Sequence, residues 1–296
     1  MNIRIHIALF SLILLAVTVV SCEEINQETE PENPWVFSLS DPADTTLGGD
    51  TFAIKIQSYA LVDRENAIME ELLIGNLPGF LRQPVPVHTS DIIQDSLYEL
   101  TFYVMPDYLS IGNNNDYFLM PMTPILAQKI MDQIKGILPT RKMVDLIWGA
   151  SVVKLEPIPI APSSAMTTMP VFDQHNNMVQ YYRNNLLDIN PLGDLVSGHK
   201  KDVILSNRIA ADLSKVVIYG WHYPHGTAIQ PLYSSHVNWY ADYSHGIRPV
   251  LSICQVNDTT MHISDILEDP ILYKLLSDET GPMEVTRYDT FRSNYP

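Results

Sequence analysis

Residues 198–248 read GHKKDVILSNRIAADLSKVVIYGWHYPHGTAIQPLYSSHVNWYADYSHGIR. Val203–Leu205 and the run 213–223 have the β-branched and aromatic content of buried strands, and RPVLSICQV (248–256) supplies another immediately after. Helical patterns lie elsewhere in the chain, and strands and helices do not alternate in a regular βαβ rhythm. The expectation is an α+β fold around one main core.

The same stretch concentrates the residues that do chemistry. Five of the nine histidines lie in it (His199, His222, His225, His236 and His245), with Trp221, Trp239 and five tyrosines. Two chemistries suit them. His222, His236 and His245 can converge from a strand end and a returning loop to hold a zinc-like divalent metal, although their spacing matches no metal motif. Alternatively, His199, Lys201 and Asp202 at a loop–strand junction, with Asp242 and His245 three residues apart, can serve as general acid and base. Ser244 adjoins His245 but has no G-x-S-x-G elbow around it. Ordinary hydrogen-bonded core histidines and a polar turn at 242–246 are the plainer readings.

Trp221, Tyr223, Gln230, Trp239, Tyr240 and Tyr243 interleave rings with polar groups, which suits the C–H faces and hydroxyls of a sugar. Lys200, Lys201 and Arg248 suit a carboxylate or phosphate on such a ligand. Lys142 and Asp145 fall one helical turn apart, as in a surface ion pair.

Upstream, FAIKIQSYAL (52–61) alternates like a strand and 64–74 reads as helix. LYELTFYVM (97–105) is a clear strand. Thr123-Pro124 opens a helix through Ile134, and Arg141 to Ala150 forms the next. Val152–Leu155 is a short strand. Pro157, Pro159 and Pro162 then enforce an extended connection, so 156–164 is the candidate internal boundary. Residues 166–187 show no clean period. Asp269-Pro270 caps a short helix to Leu276.

The N-terminus carries an address. Arg4 precedes an apolar run from Ile7 to Val20, too short to span a bilayer comfortably, so 1–21 reads as a signal peptide. Its end, Val19-Val20-Ser21-Cys22, resembles the lipobox of bacterial lipoproteins. That resemblance implies lipidation of Cys22 and a membrane anchor in the cell envelope. Glu23-Glu24 resembles a signal for export to the outer face. Residues 22–50, rich in Glu, Asn, Pro and Asp, read as a disordered tether, leaving 51–296 as the globular domain. The second cysteine, Cys254, sits in an apolar strand as a small hydrophobe.

A formal net charge of -16 argues against nucleic-acid partners and anionic lipid surfaces. GNLPGFLR, LPTRKMVD, GHKKDV, YGWH, IQPL and YADYSHG together resemble a family of uncharacterised secreted bacterial proteins, over most of residues 50–250. The resemblance brings no activity with it. The functional expectation is a lipid-anchored envelope hydrolase acting on a glycan or peptidoglycan-like polymer. The alternatives are a non-catalytic glycan-binding surface lipoprotein and a structural or assembly lipoprotein.

Overall fold

Thr123 and Thr140 each accept a backbone N–H three residues on, from Leu126 at 3.3 Å and Met143 at 3.2 Å, and so start the helices Pro124–Ile134 and Arg141–Ala150. Both begin where the sequence places them. In this computed structural model, residues 33–44 and 46–291 are described. Signal peptide, Cys22 and the first part of the tether lie outside them. Among the described residues no helix is long and apolar enough to cross a membrane.

The architecture is α+β, as expected. One antiparallel sheet runs in the order Val85–Ile93, Ser96–Val104, Val250–Val256, Thr259–His262, with Gly136–Ile137 also paired to Val250–Val256. Its first two strands join through Gln94 and Asp95, both at positive φ, the conformation that a two-residue hairpin needs. A second sheet runs Ala228–Tyr233, Ile218–His222, Lys201–Val203, His245–Gly246. Its last pair is parallel and sets His245 beside Lys201 and Gly246 beside Asp202. Residues 105–109 run along 247–249, through Met105 N–H to the Pro249 carbonyl and Leu109 N–H to that of Ile247. Asp107 and Tyr108 thereby reach the edge of this sheet. Gly246 is required there: a Cβ on it would lie 2.6 Å from the Tyr108 ring and 2.7 Å from Lys200 Cβ.

Four expectations change. The alternating run at 52–61 is no strand: its first four residues end the helix Gly49–Lys55 and a turn follows, because Phe52, Ala53 and Ile56 are buried on one helical face while Ile54 is exposed. Residues 169–184 form a sixteen-residue helix that buries Met169, Phe172, His175, Asn176, Val179 and Arg183. Half of that face is polar, so a hydrophobic pattern does not reveal it. The tether is shorter than expected, since the compact unit begins at Trp35. Phe37 is buried, Trp35 packs on Tyr103 with ring centroids 4.7 Å apart, and Ser38 N–H reaches the Ile134 carbonyl. The Pro-rich segment 156–164 lies inside this unit, not between two, and its Ile160 is bound through both backbone groups to the Tyr243 hydroxyl.

Phe37→Ala should therefore lower unfolding free energy by about 3–5 kcal/mol in urea titrations, the range for emptying a core aromatic site. A change within 0.5 kcal/mol would return this segment to the tether.

Candidate functional site

The second sheet brings charged residues of the 198–248 stretch inside the protein. Neighbouring residues on a strand leave on opposite sides, so the run His199-Lys200-Lys201-Asp202 divides among different partners. Lys201 Nζ meets Asp242 Oδ2 at 3.2 Å. Asp202 accepts from the Tyr108 hydroxyl at 2.9 Å. His199 Nε2 pairs with Asp107 at 3.0 Å, not with Asp202. Lys200 Nζ donates to the Tyr243 carbonyl at 2.6 Å and lies 3.2 Å from His175 Nδ1. All four are buried.

Asp242 is the hub. Its Oδ1 accepts the Ser244 backbone N–H at 2.8 Å and hydroxyl at 2.5 Å, while Oδ2 takes Lys201 and the Tyr240 hydroxyl at 3.3 Å. Burial acts to raise this carboxyl, but the neighbouring charge and the Ser244 bonds outweigh it, so it stays ionised well below the usual carboxylate range. Burial pushes His245 down to about 4. With His245 neutral at pH 7, Lys201 and Ser244 hold Asp242 in its charged form.

His245 is fully buried, and neither ring nitrogen has a hydrogen-bond partner among the described residues. Trp221 Nε1 is also buried without a partner among them. These rings form one group: His175 to Tyr243 at 4.9 Å, Trp221 to Tyr243 at 6.3 Å, Lys201 Nζ 5.7 Å from the Trp221 ring, and Tyr240 edge-on to His245 at 5.7 Å. An unsatisfied buried polar group costs about 1–3 kcal/mol; others occur elsewhere, as at Trp148, His199 and Arg248, but His245 lacks partners on both ring nitrogens. Backbone strain falls at the same place, with Gly220 at φ +103° and Trp221 at +58°, a conformation that bulky residues rarely adopt.

A cleft of about 370 Å³ opens beside this group. Trp239 and Tyr240, Tyr59 and Arg64, and Thr167 and Thr168 are among the residues that line it. Tyr240 is the link, lining the cleft while its hydroxyl holds Asp242. A larger hollow of about 500 Å³ lies over the first sheet, lined by residues such as His88, Glu99 and Asn257, and includes none of the cluster.

The remaining expected site residues are distributed elsewhere. His222 pairs with Asp145 at 3.0 Å and stacks on Trp148, while His236 stacks on Tyr240 at 4.1 Å. Among the described residues no three His, Cys, Asp or Glu side chains are grouped to hold a metal, so His222, His236 and His245 do not form the expected set. Arg248 is fully buried and donates to the carbonyls of Met105 and Val196, so it serves the core, not a ligand. Tyr243 is likewise enclosed. Tyr223 stacks on His225 at the surface, and Gln230 donates to the Pro231 carbonyl on the edge strand. Asp145 takes His222 and the Tyr219 hydroxyl, whereas Lys142 reaches Asp91 and the Lys274 carbonyl. Asp107, Tyr108, His175 and Arg64 were not legible as site residues. Only Asp107-Tyr108 carried a signal, being polar residues just past the clearest strand.

No family model matches the chain, and neither the curated proteins nor the solved structures contain a significant match to it.

Burial lowers Lys200 from 10.5 to about 7, against the pull of Asp242 and Asp107. The native state therefore binds fewer protons than the unfolded chain between these values. Lys200 contributes stability that is complete above pH 10.5 and is lost as pH falls through 7. Compared with Lys200→Met, the wild-type protein should gain stability with rising pH from 7 to 10, with a slope of up to about 1.4 kcal/mol per pH unit. Parallel curves for the two proteins would show Lys200 to be charged throughout.

Proposed function

We propose that the protein is a hydrolase of the bacterial envelope, anchored through lipid on Cys22, that cleaves a glycan or peptidoglycan-like polymer bound in the cleft at Trp239 and Tyr240. The observation carrying this reading is the group of buried, unpartnered ring nitrogens around the Lys201–Asp242 pair, next to a cleft and on strained backbone. Nothing in folding rewards that combination, whereas a reaction site uses it.

In this reading the roles follow from protonation state. His245 is neutral and takes up a proton from water; ionised Asp242 stabilises the imidazolium that results. The water oxygen bonds to the attacked carbon as its bond to the leaving oxygen breaks; the imidazolium returns its proton to that oxygen, while Lys201 and the Tyr240 hydroxyl balance the charge developing there. Tyr240 stands between His245 and the cleft, so its side chain has to turn for the base to meet a bound water. Trp239 offers its ring to the sugar face. His199 and Asp202, paired with Asp107 and Tyr108, hold the strand in place instead of reacting.

Release of soluble fragments from purified envelope polysaccharide and peptidoglycan tests the proposal. His245→Ala and Asp242→Asn should each lose about 10²–10⁴ in rate, while His222→Ala retains it. Activity should fall as pH drops through about 4, where His245 gains its proton. Wild-type rates in both site variants would remove this mechanism. Polymer retention without any turnover would leave a glycan-binding protein, whose retention Trp239→Ala should abolish.

A further inference from the structure

Three arginines are nearly or wholly buried: Arg64, Arg183 and Arg248. Arg183 donates to the carbonyls of Asn190 and Pro191, and Arg248 to those of Met105 and Val196. Each guanidinium is thus compensated by two backbone acceptors. Arg64 differs. Its Nη1 donates to one carbonyl, that of Thr167 at 3.1 Å, where the other two each reach a pair; in all three Nε has no acceptor, and none of the three makes an ion pair among the described residues. It is only 6 % exposed, and of the three it is the one lining the cleft.

The position is built. Arg64 lies in the first turn of the helix Leu61–Leu73, where a cation gains nothing from the helix dipole. The Phe172 ring lies 5.0 Å beneath its guanidinium carbon and, with the Thr167 bond, fixes the plane of the fork. Glu65, the next residue, acts on its charge, but no carboxylate is paired with the guanidinium among the described residues, and of the three buried arginines only this one borders a cleft. Trp239 and Tyr240 line the same cleft.

We infer that the cleft recognises an acidic sugar, its ring against Trp239 and Tyr240 and its carboxylate on the Arg64 fork. This rests on the glycan-directed reading above and narrows it to polymers bearing uronic-acid-type carboxylates. A planar fork fits a carboxylate bidentately, and a neutral sugar would leave the buried charge unmatched. Arg64 is then a specificity residue that lines the cleft beside the reacting group.

The test is calorimetric titration of the full-length protein with tetragalacturonate and with its fully methyl-esterified form, which keeps the rings and removes the charge. The wild type should bind the acid at least about tenfold more tightly. Arg64→Met, which keeps packing on Phe172, should bind both at the level of the ester, and Arg64→Lys should fall between. Equal affinity of the wild type for the two ligands, binding of neither, or a preference that survives in Arg64→Met would overturn the inference. So would binding of glucose 6-phosphate in place of the uronate. The ester comparison needs no variant, so a folding defect in Arg64→Met cannot obscure it. Asp242→Asn and His245→Ala should keep the acid preference. Their loss of turnover in a protein that shows no acid preference would sink this inference and leave the hydrolase standing.

Discussion

A guanidinium with no solvent contact holds the centre of this protein together. Arg248 lies between the end of the second sheet at Gly246 and the start of the strand Val250–Val256. It donates to the carbonyl of Met105, at the end of one strand, and to that of Val196, in another. Its guanidinium carbon sits 4.0 Å from the centre of the Tyr108 ring. Those contacts engage both terminal nitrogens but leave Nε without an acceptor and the charge unpaired, and an uncompensated buried charge costs several kcal/mol. Asp107 and Asp202 stand close enough to be influenced by it. His199 and Tyr108 then bind those carboxylates in turn. The buried cation thereby dictates the identities of a whole polar layer.

That layer has consequences for protonation. Burial raises Asp202 to about 6 even with Arg248 nearby, and lowers Lys200 to about 7. Two groups that ordinarily titrate far from neutrality are drawn toward it, because neither has enough opposite charge to stay ionised without cost. Asp242 escapes this fate through Lys201 and the two Ser244 bonds. The polar interior is thus divided. On the Arg248 side the carboxylates are paired, although Arg248 Nε and His199 Nδ1 lack acceptors, whereas around Lys201 and Asp242 both nitrogens of His245 and the Trp221 Nε1 go unpartnered. Stability is spent on the second side and supplied by the first, a division expected where a fold supports a reaction.

Much of the frame was legible in the chain, and the failures have a physical pattern. The helices after Thr123 and Thr140 could be read because cap, apolar stripe and first turn agree. The strands 96–104 and 250–256 could be read because their inward residues are apolar. The helix 169–184 could not, because His175, Asn176 and Arg183 occupy inward positions where a pattern search looks for Leu or Ile. They face inward because Asn176 accepts the Leu119 N–H and His175 meets Lys200, so the helix is shaped by the same charges that it covers. The density of histidines pointed to the stretch where the unpartnered ring nitrogens of His245 and Trp221 lie. It could not say which of them pair with carboxylates from elsewhere, since Asp107, Asp145 and His175 come from distant segments. Arg64, more than a hundred residues from Trp239 and Tyr240 in the same cleft, had no local signature at all.

The overall charge is a poor guide to what the cleft can hold. At -16 the surface repels anions at long range. In physiological salt, however, that field decays over about 8 Å, and a ligand seated in a cleft feels mainly the charges lining it. Of the residues lining this cleft, Arg64 alone is charged. An acidic exterior with a guanidinium in the cleft still admits a polyanion, but only one able to present its charge at short range, with its rings already stacked. Such an arrangement gains little from electrostatic steering and much from fit. It favours an extended acidic polymer threaded along the aromatic wall over a small diffusible anion.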